Sequence, residues 1–240
     1  MTAPRGISGP APWLIIADHA SNQVPPGIDL GIDPALLDSH IAVDIGTSRF
    51  AEALAAALAA PAIIATVTRL AIDCNREPEA PGVIPVASDG HVIPGNLALS
   101  ALERQLRIDA IHAPYHAAIE AEIARIAPVL IISIHSFTPQ LATCPDAARP
   151  WPIGILYNRD DRAAAVALDW LAAEGITAGD NEPYSGRDLN YTMNRHAETS
   201  GIPYLGIELR QDEIGDAIGC ARWLPVIEKL VRTVAESLRG

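Results

Sequence analysis

The chain has 240 residues and a formal net charge of -12, with 29 acidic against 17 basic residues. Its single lysine, Lys229, and the lack of any basic block exclude the clustered positive field that nucleic-acid binding requires. The length is typical of one domain, so we predict a single domain over residues 1–240.

Neither targeting nor cross-linking is indicated by the sequence. Residues 1–12 lack the cationic and apolar regions of a secretory signal, and no apolar run approaches the ~20 residues that span a bilayer. We therefore expect a cytoplasmic protein without membrane contact. The widely spaced Cys74, Cys144 and Cys220 form no pair typical of thiolate sites, so any metal would be held by histidine and carboxylate.

Strand-like and helix-like segments alternate along the chain. Residues 14–18 predict a buried strand that leads into His19, and the alanine- and leucine-rich residues 34–60 predict a helix. Residues 62–67 predict a second strand. The proline-rich, aperiodic residues 77–95 predict a long surface loop of the kind that often carries function.

The second half of the chain continues this alternation. We predict a helix over 97–127, interrupted near Pro114, and a buried strand over 129–136 that contains His135. The remaining predicted segments are the strands 153–157 and 204–209 and the helices 161–174 and 216–238. Strands interleaved with helices predict the α/β class, as a three-layer α/β/α fold around a mixed, mostly parallel sheet.

Two of the predicted strands end in a histidine. The carboxyl ends of parallel strands meet at one edge of the sheet, where α/β folds place their chemistry. One such histidine is usually structural, whereas two at the same edge make a shared metal site an equal alternative. His19 and His135 are therefore the candidate metal ligands.

An aspartate between them is the candidate third ligand. A zinc hydrolase typically uses three histidine or carboxylate ligands and leaves a fourth position for water. His40 and Asp44 stand at i and i+4, which would place both on one face of the predicted helix. Asp44 as a ligand with His40 facing substrate is one interpretation. A surface pair that stabilises the helix, or a cap before Gly46, is the other.

Other histidines are weaker candidates. His112 and His116 also stand at i and i+4, but no glutamate follows the first of them and Pro114 lies between. We interpret them as an exposed or half-buried helical pair. His196 lies on a further predicted helix.

Two arginines flank an aspartate and an asparagine in residues 68–76. The guanidinium fork of Arg69 or Arg76 suits a substrate carboxylate, and Asn75 can add a donor. The alternative is a structural ion pair with Asp73. Both can hold if Asp73 fixes one arginine while the other meets substrate.

Glu208 lies within or at the end of the last apolar strand. Burial without a partner would raise its pKa towards neutrality, as a general base requires. An outward-facing residue on an edge strand is the alternative. Upstream, the polar residues 181–187 could form a wall of the same pocket.

Six motifs in this order resemble those of the N-formylglutamate amidohydrolase family. They are Ala-Asp-His-Ala-Ser-Asn at 17–22, His-Ile-Ala-Val-Asp-Ile-Gly at 40–46, Arg-Leu-Ala-Ile-Asp-Cys-Asn-Arg at 69–76, Ser-Ile-His-Ser-Phe-Thr-Pro at 133–139, Asn-Glu-Pro-Tyr-Ser-Gly at 181–186 and Ile-Glu-Leu-Arg-Gln-Asp at 207–212. The resemblance covers nearly the whole chain and is closer to the shorter branch of that family.

The resemblance implies a phosphorylase/hydrolase-like fold related to zinc carboxypeptidases and zinc amidases. It further implies hydrolysis of N-formyl-L-glutamate to formate and glutamate in histidine breakdown. In the family's terms His19, Asp44 and His135 would hold zinc and Glu208 would be the catalytic glutamate. The Asn75-Arg76 pair is similar to the pair that grips a substrate carboxylate in related acylases. The sequence departs from carboxypeptidases at Asn22, where their His-x-x-Glu motif has its glutamate.

From these residues we predict a zinc-dependent amidohydrolase for a small acidic N-acyl amino acid. Its substrate-binding residues would be Arg69, Asn75, Arg76, Ser136, His40 and Arg210. A zinc amidase for another N-acyl amino acid, a peptide or a cell-wall amide is the second possibility. A non-catalytic protein that binds acylamino acids is the third.

Overall fold

The computed structural model describes residues 2–239. Its strands are β1 (Arg5–Ile7), β2 (Trp13–Ala17), β3 (Ala62–Ile64), β4 (Ala87–Ser88), β5 (His91–Val92), β6 (Leu130–Phe137), β7 (Ile153–Leu156), β8 (Ala178–Asp180) and β9 (Tyr204–Arg210). Its helices are α1 (Thr47–Leu58), α2 (Pro94–Leu97), α3 (Ala101–Arg107), α4 (Ala113–Ile126), α5 (Arg162–Ala173), α6 (Tyr191–His196), α7 (Gln211–Ile214) and α8 (Ala217–Ser237).

Seven strands form one mixed sheet in the order β1-β3-β2-β6-β9-β7-β8. The pairs β3·β2, β2·β6, β6·β9 and β7·β8 are parallel, whereas β1·β3 and β7·β9 are antiparallel. The predicted class and the mostly parallel sheet are therefore confirmed. The short edge strands β1 and β8 and the hairpin β4–β5 were not predicted.

The pleat of the central strands separates two apolar cores. In β6, Leu130, Ile132 and Ile134 pack with α1, α5 and α8 on one face, and Ile131 packs with α4 and α6 on the other. Because side chains alternate along a strand, His135 shares the face of Ile131. Glu208 shares that face, since it is the cross-strand partner of His135 in β9.

Residues 34–60 do not form the single helix that we predicted. A 3-10 turn spans Pro34–Asp38, turns follow, and α1 begins only at Thr47. Gly46 before it has φ 87, and a Cβ there would lie 2.3 Å from the carbonyl oxygen of Ile214. The chain therefore turns sharply at this glycine, and His40 and Asp44 lie in turns and not on one helix face.

The predicted interruption of helix 97–127 is confirmed. A π-helical turn, Ile108–His112, separates α3 from α4 directly before Pro114. Proline has no N–H to donate to the preceding turn, which explains the wider turn at this point. Among residues 2–239, no helix has both the length and the apolar character needed to cross a membrane.

Candidate active site

His19 and His135 meet at one edge of the sheet, as their strand positions predicted. His19 follows β2, His135 lies in the neighbouring β6, and their ring centroids are 5.0 Å apart. Both rings are buried. Parallel strands that end at the same edge bring the two imidazoles together.

Asp44 lies between the two rings. Its Oδ2 atom is 2.8 Å from Nδ1 of His135 and 3.4 Å from Nδ1 of His19. One ligand atom from each of these three buried residues lies within 4.8 Å of the other two. We call His19, Asp44 and His135 the candidate metal centre, because this group could hold a metal ion.

A second carboxylate lies behind each histidine. His19 Nε2 is 2.7 Å from Asp73 Oδ1, and His135 Nε2 is 3.2 Å from Asp18 Oδ2. A carboxylate beside one ring nitrogen orients the imidazole so that the opposite nitrogen can serve as a metal ligand. In both residues that opposite nitrogen is Nδ1, the atom that faces Asp44.

The donor set fits a divalent cation. Nδ1 of His19 is buried and has no hydrogen-bond partner within residues 2–239, although a carboxylate oxygen lies close by. A polar atom buried in this way is costly unless something binds it. Two imidazole nitrogens and one carboxylate oxygen are ligands that zinc prefers.

The charges around the centre reinforce one another. Burial opposes a charge on His135, yet its hydrogen bonds to Asp18 and Asp44 raise its pKa well above the usual value. Burial likewise opposes a charge on Asp44, yet the two histidines lower its pKa. The centre is thus a compact network of opposite charges, with the carboxylate ionised.

Glu208 lies next to this network. Its side chain is buried, and its Oε2 atom has no hydrogen-bond partner in the described chain. Burial raises the pKa of Glu208 to about 7, and the charge of Asp44 acts in the same direction. The alternative of an outward-facing edge residue is wrong, because β9 lies between β6 and β7. Near neutral pH this carboxyl group can both accept and donate a proton.

A cavity of about 100 Å³ opens beside the metal centre and Glu208. Its floor includes Ser133 and Gly206, small cross-strand partners on β6 and β9. The predicted substrate-binding residues that line it are His40, Arg69, Asn75, Arg76 and Ser136.

The two arginines differ in how they are held. Arg69 donates to Asp73 Oδ2 at 2.9 Å and to Asp44 Oδ1 at 3.3 Å. Arg76 Nε lies 3.9 Å from Asp73, and its side chain is 36% exposed. Arg69 is therefore committed to the aspartates of the site, whereas Arg76 is the freer cation of the cavity wall.

The other lining residues are fixed by neighbouring groups. Asn75 Oδ1 accepts from the backbone N–H of Thr192 at 2.9 Å. Ser136 Oγ donates to the carbonyl of Ile45 at 2.8 Å, which anchors the turn that carries Asp44. His40 Nε2 is 2.9 Å from Asp89 Oδ2, so the loop 77–95 contributes to the cavity through His40.

Arg210 lies outside the cavity, which corrects its assignment as a substrate-binding residue. Its Nε donates to Asp212 at 2.7 Å, and its Nη1 donates to the carbonyls of Arg149 and Pro150 at 3.3 Å. Strand alternation places Arg210 on the same face as Glu208, but its ion pairs and carbonyl contacts fix its guanidinium in the loop packing.

Several residues of the site were missed from the sequence. Asp18 supports His135 and accepts from Tyr115 Oη at 2.8 Å and Thr192 Oγ1 at 3.0 Å. Tyr184 was predicted only as part of the possible pocket wall 181–187; it lines the cavity and accepts from Arg149 Nη1 at 3.1 Å. The one available signal for Asp18 was its position directly before His19 at the end of an apolar strand.

The interpretation of His112 and His116 as an exposed or half-buried pair is wrong. Their exposed fractions are 1% and 0%, and His196 is 4% exposed. α4 packs against the sheet through the same face that carries these rings. Helical spacing alone could not show which face of this helix is covered.

The fold and the site define an α/β protein with a buried His–Asp–His centre that could bind a metal ion. The sequence profile of the N-formylglutamate amidohydrolase family matches residues 11–215. The chain belongs to this family, which confirms the resemblance of its motifs. No curated protein sequence matches it significantly.

Crystal structures similar to this chain include two that match it over nearly its whole length. The gene product Atu2144 from Agrobacterium tumefaciens is 30% identical, with a TM-score of 0.94 over 100% of this chain and 97% of its own. The N-formylglutamate amidohydrolase from Ralstonia eutropha JMP134 is 21% identical, with a TM-score of 0.69 over 99% of this chain and 97% of its own. The second likeness supports the fold alone.

Proposed function

We propose that the protein hydrolyses the amide bond of a small N-acyl amino acid, with N-formyl-L-glutamate as the leading substrate. The observation that carries the proposal is the buried carboxyl group of Glu208 beside the candidate metal centre, with one oxygen that has no hydrogen-bond partner among residues 2–239. Membership of the N-formylglutamate amidohydrolase family supports the same reaction class.

We assign zinc to His19, Asp44 and His135. A divalent cation bound there would polarise the amide carbonyl and lower the pKa of a water molecule towards ~7. Asp73 and Asp18 orient the two imidazoles through their Nε2 atoms, so that each Nδ1 lone pair points to the centre.

Glu208 moves the protons of the reaction. Its carboxylate takes one proton from the attacking water and then gives it to the amide nitrogen as the carbon–nitrogen bond breaks. The products are then a carboxylic acid and a free amine. A pKa of about 7 suits both transfers, since base and acid forms are both accessible near neutral pH.

Arg76 and Asn75 bind the substrate carboxylate. The net charge of -12 repels an acidic substrate from most of the surface, so binding needs a local positive group. Arg76 supplies that group, because Arg69 is occupied by Asp44 and Asp73. The cavity of about 100 Å³ favours a compact substrate over a long peptide, since pockets for drug-sized ligands measure roughly 300–1,000 Å³.

Metal analysis followed by a substrate screen tests the proposal. Purified protein should contain one zinc ion per chain and release amine from N-formyl-L-glutamate faster than from N-acetyl or N-succinyl amino acids. Glu208→Gln should lower kcat by about 10²- to 10⁴-fold and keep the zinc. The exposed Glu79→Gln is the matched control.

The outcomes separate the competing functions. Turnover of a different acyl group would retain the reaction and replace the substrate. Binding without turnover in the zinc-loaded protein would favour a non-catalytic binding protein. Undiminished kcat in Glu208→Gln would refute the assignment of the base.

A further inference from the structure

A second group of buried histidines lies behind the cavity wall, and the proposed mechanism does not use it. His112 ends the π-helical turn before α4, His116 lies in α4, and His196 ends α6. We call these three residues the histidine relay. Burying three imidazoles needs hydrogen-bond partners for their nitrogens, so the partners indicate the role.

Two histidines of the relay donate hydrogen bonds to backbone carbonyls of one short segment. His116 Nε2 is 2.9 Å from the carbonyl oxygen of Cys74, and His112 Nε2 is 2.9 Å from that of Arg76. A carbonyl only accepts, so both Nε2 atoms carry a hydrogen. His116 Nδ1 therefore accepts, and its partner at 2.8 Å is Nε2 of His196.

The segment held in this way is Asp73–Arg76. Asp73 supports His19 and Arg69, and Asn75 and Arg76 line the cavity. α6 holds the segment from the same side, because the backbone N–H of Thr192 donates to Asn75 Oδ1. Two alternate carbonyls of one four-residue stretch are thus bound by histidines of one helical face.

We propose that His112 and His116, backed by His196, are positioning residues for substrate binding. They fix the backbone of Asp73–Arg76, so that Asn75 and Arg76 present their side chains to the substrate in one arrangement. The kinetic part of this inference rests on the proposed function. The structural part does not, since the carbonyl contacts exist without any substrate.

Pairs of glutamine and asparagine variants test the proposal. A glutamine amide can occupy the position of Nε2 and donate to the same carbonyl, whereas the shorter asparagine cannot reach it. We expect His112→Asn to raise KM about 2- to 10-fold, the effect of one neutral hydrogen bond, with kcat and zinc content unchanged. His112→Gln should restore the wild-type KM. His116→Asn should likewise raise KM, and His116→Gln should keep it near the wild-type value.

Amide hydrogen exchange gives a readout that needs no activity. The backbone N–H of Asn75 donates to Asp73 Oδ1 and that of Arg76 to the Asp73 carbonyl, so both amides report the order of the segment. They should exchange faster in the asparagine variants and not in the glutamine variants. Peptides from β9 serve as the internal reference.

Each outcome decides one question. If the asparagine and glutamine variants share the wild-type KM and exchange, the relay is core packing and the proposal is overturned. If both variants at a position lose thermal stability equally and KM does not separate them, the same conclusion follows. If the wild type cleaves no N-acyl amino acid, the proposed function fails, and exchange at Asn75 and Arg76 still decides the relay.

Discussion

The protein buries two groups of histidines and uses different partners for each. The rings of the candidate metal centre meet carboxylates on both sides, from Asp44, Asp18 and Asp73. The rings of the histidine relay meet backbone carbonyls and one another. All of these rings are less than a tenth exposed, so burial does not distinguish the two groups.

The partners shift the pKa values of the two groups in opposite directions. Burial opposes protonation of His19, yet Asp73 and Asp44 raise its pKa. In the relay burial acts with little opposition, and the pKa of His116 falls to about 3. An imidazole between carboxylates is poised to hold a cation, or to be one. An imidazole between carbonyls stays neutral and works as a fixed donor.

The largest expected effect is loss of the metal when a histidine of the candidate metal centre, and not of the histidine relay, is replaced. His135→Ala removes one of three ligands and leaves Asp18 and Asp44 without their shared partner. Zinc should fall from one ion per chain to about a tenth or less by elemental analysis, and turnover should be lost. The exposed His91→Ala should retain the ion. Stoichiometric zinc in His135→Ala would place the metal elsewhere.

A smaller effect is expected from the carboxylates behind the rings. Asp18→Asn and Asp73→Asn keep the shape of the side chain but weaken the hold on His135 and His19. Zinc affinity, measured by competition with a chelator, should drop about 10- to 100-fold in each. The exposed Asp169→Asn on α5 is the matched control. Unchanged affinity would show that these carboxylates do not orient the ligands.

Strand periodicity predicted much of the candidate site. His19, His135 and Glu208 could be placed because apolar runs mark buried strands, and the carboxyl ends of parallel strands share one edge. These signals are local. One alternative for Glu208, an outward-facing position on an edge strand, was decided by the strand order, because β9 lies inside the sheet.

Long-range contacts account for what the sequence could not predict. Asp18 and Asp73 support rings that are 117 and 54 positions away along the chain, and spacing carries no signal for such pairs. The predicted helix over 34–60 forms only from Thr47, because Gly46 has a left-handed backbone that lets the preceding turn pack against Ile214. The burial of His112 and His116 depends on α6, which periodicity within α4 cannot report.

The smallest effect tests whether the relay is neutral. Burial lowers the pKa of His196 to about 4, from 6.5 in the unfolded chain. Between these values the unfolded chain binds more protons than the folded one. The stability contributed by a neutral His196 is therefore complete above about pH 6.5 and is lost as the pH falls towards about 4.

His196→Gln keeps a donor for His116 but removes this titration. Urea unfolding of zinc-free protein at pH 7 and pH 5 should show about 2 kcal/mol more loss in the wild type than in His196→Gln, at about 1.4 kcal/mol per pH unit. The exposed His91→Gln should lose as much as the wild type, because only a buried neutral imidazole resists protonation in the folded state. Equal losses in the wild type and His196→Gln would mean that His196 is protonated as readily in the folded protein as in the unfolded chain.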